Sequence, residues 1–144
     1  MKNMLDTDDN IFSEKKKTAT YSKKELGAFG ESIALKYFID EGYTILTRNF
    51  RFGRFGEIDI IVQKGDILRF VEVKTRTDNQ FGTPGESVTN RKKKRIVTVA
   101  KYYLSSHNAE NLRPGFDVLE IYLGKDEHSN YLIKEINHIE NAFQ

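Results

Sequence analysis

The sequence predicts an α/β fold in which helices flank a mixed central sheet. Two segments carry apolar residues at the 3.6-residue spacing of amphipathic helices, and five shorter segments are rich in β-branched and aromatic residues. Their order along the chain is α-β-β-β-α-β-β. The second helical segment lies between the third and fourth strands, which is typical of a right-handed crossover between parallel strands.

The first helix is predicted to begin at Ser22, because Ser22 and Glu25 have the spacing of a capping box. An apolar stripe at helical spacing follows, formed by Leu26, Phe29, Ile33 and Tyr37, with Gly30 and Ala34 as further members. Gly42 supplies a left-handed stop. Residues 1–20 are polar, so we expect a flexible N-terminal arm before a single domain at residues 21–144.

The first strand is predicted at residues 43–48. The second and third strands, residues 57–62 and 67–75, are separated by a turn around Gly65 and therefore form a β-hairpin. A loop follows at residues 76–86.

Ser87 or Thr89 can cap the second helix, whose apolar face is formed by Ile96, Val99, Ala100, Tyr103 and Leu104. Pro114 and Gly115 are expected to break the chain before a fourth strand at residues 116–123. The last strand is predicted at residues 131–136.

The hairpin carries an unusual set of charged side chains. Because side chains alternate along a strand, Glu72 and Lys74 share one face. With a two-residue loop, the residue numbers of paired positions sum to 129, and with a four-residue loop they sum to 131. Either register puts Asp59 on the face of Glu72 and Lys74. Two such carboxylates are costly unless a cation pairs with them, and a divalent metal does this best. The alternative is a solvated face with weak ion pairs, the commoner meaning of Glu-x-Lys alone.

Composition bounds the class of protein. With 144 residues, 38% of them hydrophobic, one domain with a real core is expected. No apolar run reaches the length of a membrane span, and the first residues lack a signal-peptide core. The sequence has no cysteine, which excludes disulfides and thiolate metal sites and fits a cytoplasmic protein.

The net charge of +2 hides an uneven distribution. Residues 91–101 hold six basic residues and no acid, whereas residues 110–144 hold seven acids and three bases. Cations at the start of a helix oppose its dipole, which favours an anionic partner over helix stability as their purpose. On a helix, Arg91, Lys94 and Arg95 share a face, whereas Lys92 and Lys93 point elsewhere. A solvated basic face remains the alternative.

Arginines and phenylalanines alternate over residues 48–56, between two strands. Such a segment can stack on splayed bases and contact phosphates. Alternatively, it is a glycine turn whose phenylalanines pack underneath. Both interpretations remain open from the sequence.

Several short motifs together resemble a known family. They are GAFGE at residues 27–31, RNFR at 48–51, GEIDII at 56–61, FVEVKTR at 70–76, FGTP at 81–84 and FDV at 116–118, with the helix at 94–104. Over residues 24–122 the chain resembles the YraN-like family of bacterial proteins, of the PD-(D/E)XK restriction-endonuclease-like superfamily, which are similar to archaeal Holliday-junction resolvases. Ile58 replaces the superfamily's proline, and the Gln-x-x-x-Tyr element of related exonucleases is absent.

The resemblance implies a restriction-endonuclease-like α-β-β-β-α-β core and a metal-dependent nuclease. It implies that Asp59 and Glu72, with the Val73 carbonyl, bind Mg²⁺ or Mn²⁺, that Glu31 completes the site, and that Lys74 orients or activates the attacking water. Without the resemblance, Glu31 would be an exposed helix glutamate. Glu57 is expected to support the site, and no role is derived for Asp117.

The resemblance implies that the substrate is nucleic acid, and DNA rather than RNA. It also implies a structure-selective endonuclease that acts on branched DNA. The residues expected to contact it are Arg48, Arg51, Arg54, Arg76, Arg91, Lys94 and Arg95. Paired cuts on a symmetric junction would need a homodimer. The alternatives are a nucleic-acid-binding module with the same fold and little or no catalysis, and a protein-interaction adaptor that uses the acidic C-terminal half.

Overall fold

Two helices and five strands follow one another in the expected order. The computed structural model describes residues 21–77 and 89–143, so the expected N-terminal arm and most of the expected loop at 76–86 lie outside the described residues. The elements are α1 (Lys23–Asp40), β1 (Thr44–Phe52), a one-turn 3₁₀ helix (Gly53–Phe55), β2 (Gly56–Lys64), β3 (Ile67–Thr77), α2 (Asn90–Ser106), β4 (Arg113–Lys125) and β5 (Tyr131–Phe143). The α/β fold with an α-β-β-β-α-β core is confirmed.

The five strands form one mixed sheet whose spatial order, β1-β2-β3-β4-β5, is the order along the chain. The pairs β1–β2, β2–β3 and β4–β5 are antiparallel. β3 and β4 are parallel, from Ile67 opposite Arg113 to Thr77 opposite Leu123. Since a parallel pair needs a long crossover, the connection through α2 has the predicted role.

Both helix starts follow from their capping residues. The Ser22 hydroxyl accepts from the Glu25 backbone N–H at 3.1 Å, and the Glu25 carboxylate accepts from the Ser22 N–H at 3.1 Å, which confirms the capping box. Thr89 caps α2 by accepting from the Lys92 N–H at 3.2 Å. Gly42 has φ +91°, the left-handed conformation expected beyond a helix end.

All five strands are longer than predicted. β1 continues to Phe52 and so contains the RNFR motif. β5 continues to Phe143. The expected break at Pro114 and Gly115 was wrong, because β4 begins at Arg113. Pro114 is the second residue of β4, and the pairing of β4 with β5 covers only Phe116 to Lys125. Pro114 therefore removes no backbone hydrogen bond to β5 and is tolerated there.

Each helix covers its own apolar cluster on the sheet. Phe29, Ile33, Ala34 and Phe38 of α1 pack on a cluster that includes Ile60 and Val71. Ile96, Val99, Ala100 and Tyr103 of α2 pack on a cluster that includes Ile58 and Phe70. Gly30 lets α1 approach the sheet closely, since a Cβ atom there would overlap the Thr75 hydroxyl and lie 3.1 Å from Thr75 Cβ. The residue after Gly30 is Glu31, so this contact sets the position of the predicted site acid.

Asp117 belongs to a buried chain of hydrogen bonds. Its carboxylate contacts His138 Nε2 at 2.7 Å and accepts from the Asn141 N–H at 3.0 Å. The other ring nitrogen of His138 contacts the Tyr37 hydroxyl at 3.0 Å. The chain therefore joins β4 and β5 to α1, and this gives Asp117 a role in the fold. No helix in the described ranges is long and apolar enough to span a membrane.

Candidate functional site

The predicted acids meet where two strands of the hairpin separate. β2 and β3 pair from Lys64 opposite Ile67 to Ile60 opposite Val71. These positions sum to 131, one of the two expected registers, although the turn contains two residues and not four. Asp59 and Glu72 are the next residue of each strand, so the predicted proximity of the two carboxylates follows directly from the register.

Asp59 is held by the backbone of the neighbouring strand. Its Oδ2 atom accepts from the Val73 N–H at 2.8 Å. On either side of Asp59, Ile58 packs in the cluster under α2 and Ile60 in the cluster under α1. The regular alternation of side chains is therefore broken at Asp59, and the carboxylate replaces a ladder bond at the point where pairing ends.

Glu72 is buried, with 6% of its surface exposed, and two ammonium groups lie on it. Lys74 Nζ is 3.5 Å from Glu72 Oε1. The second is Lys92, whose Nζ atom contacts the same oxygen from the first turn of α2. Lys92, which was expected to point away from the face of Arg91, Lys94 and Arg95, points into the site. Sequence reasoning missed this contact.

The electrostatic environment opposes the charge on Asp59. Burial, and then the negative charge of Glu72, raise the pKa of Asp59 to about 7, against the lowering effect of the Val73 N–H bond. Burial and the contact with Lys92 lower the pKa of Lys74. Burial alone would lower the pKa of Lys92, but the contact with Glu72 outweighs it and raises that pKa. The groups that favour the ionised form of Asp59 therefore do not offset the burial and the negative charge of Glu72 that disfavour it.

Glu31 lies near these acids but is held by its own contacts. Burial raises the pKa of Glu31, Arg48 opposes that shift, and Glu57 and Glu72 add to it. With its amide nitrogen turned toward the two carboxylates, Asn49 donates to Glu31 and to Glu57 at 3.2 Å each. Asn49 has φ +52°, a conformation that asparagine tolerates better than most residues.

A metal would find oxygen ligands here, but not a preformed cage. Within residues 21–77 and 89–143, no three acidic or histidine side chains are arranged to hold a metal ion. The reason is visible in the contacts: Asn49 holds Glu31, while Lys74 and Lys92 lie on Glu72. The donor chemistry nevertheless fits Mg²⁺ or Mn²⁺, because Asp59 and Glu72 are hard carboxylate ligands that repel each other without a cation.

Two open cavities adjoin the acids. One, of about 240 Å³, lies between α1 and β3 and is lined by Glu31, Val73 and Lys74 among others. The second, of about 430 Å³, lies between the 3₁₀ helix and the start of α2, and Lys92 is one of its walls. Glu31 and Lys74 are therefore reachable from the smaller cavity, whereas the larger cavity adjoins the site through Lys92, which contacts Glu72.

The arginines predicted to bind nucleic acid are placed differently from one another. Arg48 and Arg54 are exposed. Arg51 is also exposed but pairs with Glu57 at 2.9 Å. Arg76 points inward: its side chain is 15% exposed and its Nη2 atom is 3.9 Å from buried Glu120. This position favours a structural ion pair for Arg76 over a contact with phosphate.

The basic face at the start of α2 is open to solvent. Arg91, Lys94 and Arg95 are exposed, as the helical spacing predicts. Between them and the acids of the hairpin lies Lys92. The three exposed cations are therefore placed beside the candidate site, where they could contact the backbone of a bound strand.

Comparison with known proteins gives a family-level match. The model of the Uncharacterised protein family UPF0102 matches residues 30–121. A UPF0102 protein of Clostridioides difficile is 46% identical over 122 residues, which cover 85% of this chain and 99% of that protein. UPF0102 proteins of Caldanaerobacter subterraneus (42% over 122 residues; 85% and 97%) and Clostridium perfringens (44% over 121 residues; 84% and 95%) are similar in the same way.

Proposed function

We propose that this chain, which belongs to the uncharacterised protein family UPF0102, is a metal-dependent nuclease that hydrolyses DNA phosphodiesters. The observation that carries the proposal is the pair of acids, Asp59 and Glu72, brought together with Lys74 at the open end of the hairpin. Burial beside Glu72 raises the pKa of Asp59 to about 7, and a divalent cation would relieve this penalty. The resemblance of the motifs to the PD-(D/E)XK superfamily and the archaeal resolvases supports the same activity.

The residues that would hold Mg²⁺ or Mn²⁺ are Asp59 and Glu72, with the Val73 carbonyl and Glu31 as further ligands. When bound, the metal would lower the pKa of a coordinated water and neutralise charge on the scissile phosphate. The carboxylate of Asp59 is already oriented, because the Val73 N–H holds one of its oxygens at 2.8 Å. Glu72 would have to give up one of its two ammonium partners.

Lys74 is the residue best placed to act on the attacking water. Its ammonium lies 3.5 Å from Glu72, and its pKa is lowered by burial, which makes its proton easier to transfer. A positioned cation of this kind can also stabilise the charge that develops on the phosphate. Lys92, released from Glu72, would keep a second ammonium within reach of the same phosphate.

The substrate-binding part of the proposal uses the exposed cations. Arg91, Lys94 and Arg95 would contact backbone phosphates of one strand, and Arg48 and Arg54 would extend the contact along β1 and the 3₁₀ helix. We propose branched DNA as the preferred form, following the resolvase resemblance. Cutting both strands of a symmetric junction would then require two copies of the chain.

The direct test is a cleavage assay with Mg²⁺, Mn²⁺ or EDTA on linear duplex, single-stranded, flap and four-way DNA. We expect Asp59→Asn and Glu72→Gln each to abolish metal-dependent cleavage while leaving the fold intact. Asp66→Asn is the matched control, because Asp66 is an exposed acid of the same hairpin that pairs with Arg113 at its turn. Cleavage that persists unchanged in either site variant would refute the assignment.

A nucleic-acid-binding module with the same fold is the second candidate. It is favoured by the two ammonium groups that already neutralise Glu72 without a metal. A pure binder would gain no DNA affinity from Mg²⁺ over EDTA, because Mg²⁺ only competes for phosphates, and it would cut none of the four substrates. Asp59→Asn would then raise DNA affinity, since it removes a negative charge that repels phosphate and costs no catalysis.

A further inference from the structure

A row of stacked aromatic rings leads from the core to the larger cavity. Phe50 contacts the buried Tyr103 edge-on, with ring centroids 5.1 Å apart. Tyr102 stacks on Phe50 at 6.2 Å and on Phe52 at 3.8 Å, with only 3° between the last two planes. Phe55 stacks on Phe52 at 5.2 Å and 20°. The row is thus anchored in the cluster under α2 and ends at Phe55.

Phe55 is 47% exposed, whereas Phe50 and Phe52 are partly buried against the cluster under α2. It lines the open cavity of about 430 Å³, a volume within the range of about 300–1,000 Å³ typical of small-ligand sites. Gly56 closes this end of the cavity against α2: a Cβ atom there would lie 3.9 Å from Arg95 Cβ. An apolar ring is therefore presented next to the basic turns of α2.

The charges around the cavity select for an anion. Among the described residues that line it, Arg91, Lys92 and Arg95 are cationic and Glu57 is the one acid. Glu57 is already neutralised by Arg51 at 2.9 Å. A ligand here meets net positive charge on one wall and an aromatic face on the other. A nucleotide combines both requirements, because its base stacks on an aromatic ring while its phosphate pairs with arginine.

Base pairing decides which nucleotide can enter. In an intact duplex each base is stacked between its neighbours and has no free face for Phe55. A base that is unpaired, at a flap, a single-stranded end or an open junction, has such a face. The cavity also shares Lys92 with the candidate site, where the Lys92 ammonium contacts Glu72. A nucleotide in the cavity would therefore adjoin the candidate site through Lys92.

We propose that this cavity binds one unpaired nucleotide of the substrate strand, with its base on Phe55 and its phosphate on Arg91 and Arg95. The inference rests on the proposed nuclease function and narrows it: the substrate is DNA in which an unpaired segment meets a duplex. Phe55 is then a specificity-determining residue. Arg51, which neutralises Glu57, keeps the cavity cationic.

The test uses DNA flaps that carry 2-aminopurine, a base whose fluorescence is quenched by stacking, at successive unpaired positions. The full chain is titrated in Ca²⁺, and cleavage is measured separately in Mg²⁺ or Mn²⁺. We expect quenching at one unpaired position next to the duplex and none when the same base is paired. Phe55→Leu should abolish the quenching and weaken flap binding roughly tenfold, and Phe55→Trp should preserve both. Leu132→Ala, another exposed apolar residue, is the control for surface truncation.

The outcomes separate the two proposals. Equal quenching in wild type and Phe55→Leu, or equal quenching of paired and unpaired bases, would overturn the nucleotide site. Metal-dependent cleavage without any Phe55-dependent quenching would overturn it too, but would leave the nuclease assignment standing. Quenching that depends on Phe55 in a protein that cuts no DNA would support the nucleotide site and refute the nuclease.

Discussion

Removing the charge of Asp59 is expected to stabilise the metal-free protein, and increasingly so as the pH rises. In the folded protein, burial and then Glu72 raise the pKa of Asp59 from its ordinary value of 3.8 to about 7. The unfolded chain has the ordinary value. Between these two values the folded state binds the proton more tightly than the unfolded state, so the free energy of unfolding falls as the pH rises. Asparagine at position 59 does not titrate, so Asp59→Asn lacks this fall in the free energy of unfolding.

The size of the effect follows from the two pKa values. Between pH 5 and pH 7 the unfolded chain has already released the proton and the folded chain has not, so each pH unit removes up to about 1.4 kcal/mol. The loss ends once the pH passes the folded pKa. The difference in unfolding free energy between Asp59→Asn and wild type should therefore grow by about 2–3 kcal/mol from pH 5 to pH 8.

Urea unfolding followed by circular dichroism, in EDTA at pH 5, 6, 7 and 8, measures this difference directly. Comparing the two proteins at each pH cancels contributions that they share. Asp66→Asn, the exposed acid of the same hairpin, should run parallel to wild type within about 0.5 kcal/mol. Parallel curves for wild type and Asp59→Asn would refute the reasoning. Adding Mg²⁺ or Mn²⁺ at pH 8 should stabilise wild type and leave Asp59→Asn unchanged.

Three further changes test individual contacts. Gly30→Ala should destabilise the protein by about 1–3 kcal/mol in urea unfolding, because the added methyl group meets Thr75. Gly27→Ala is the control and should be neutral or stabilising, because the space around Gly27 is open. Equal effects of the two substitutions would contradict the close approach of α1 to the sheet. Lys74→Ala should leave metal affinity near wild type in calorimetry and lower the cleavage rate by roughly a hundredfold; a collapse of metal binding would mean that Lys74 holds the site together. Lys92→Ala should lower the free energy of unfolding in EDTA by about 1 kcal/mol, because it removes the ion pair with Glu72. It should also raise metal affinity, because the Lys92 ammonium no longer competes with the metal for Glu72. Unchanged metal affinity would refute that competition.

Features that depend on neighbours in the sequence could be predicted. The capping box of Ser22 and Glu25 spans three residues, and it forms as expected. The hairpin that brings Asp59 to Glu72 depends on one turn and on the alternation of strand residues, and both expected registers put the acids together. The order of elements followed from periodicity in the same way, so the fold class was available from the sequence.

Contacts between distant segments could not be predicted. Lys92 reaches Glu72 because of where α2 crosses the sheet, which no local pattern records. The pairing of Asp117 with His138 depends on the register of β4 and β5, and His138 has no neighbouring motif. The inward position of Arg76 depends on Glu120, 44 positions later in the chain by their numbers. Asn49 was visible as part of the RNFR motif, but its role required the position of Glu31.

The bond between Asp59 and Val73 has a consequence for which substitutions the protein can accept. The donor is a backbone N–H, so the orientation of the carboxylate does not depend on the side chain at position 73. That side chain packs at the margin of the cluster under α1, where other apolar residues of similar size would fit. Proline alone has no N–H to donate. In a library that varies position 73, apolar residues should therefore be recovered freely among functional variants, and proline should be lost with the activity of the site.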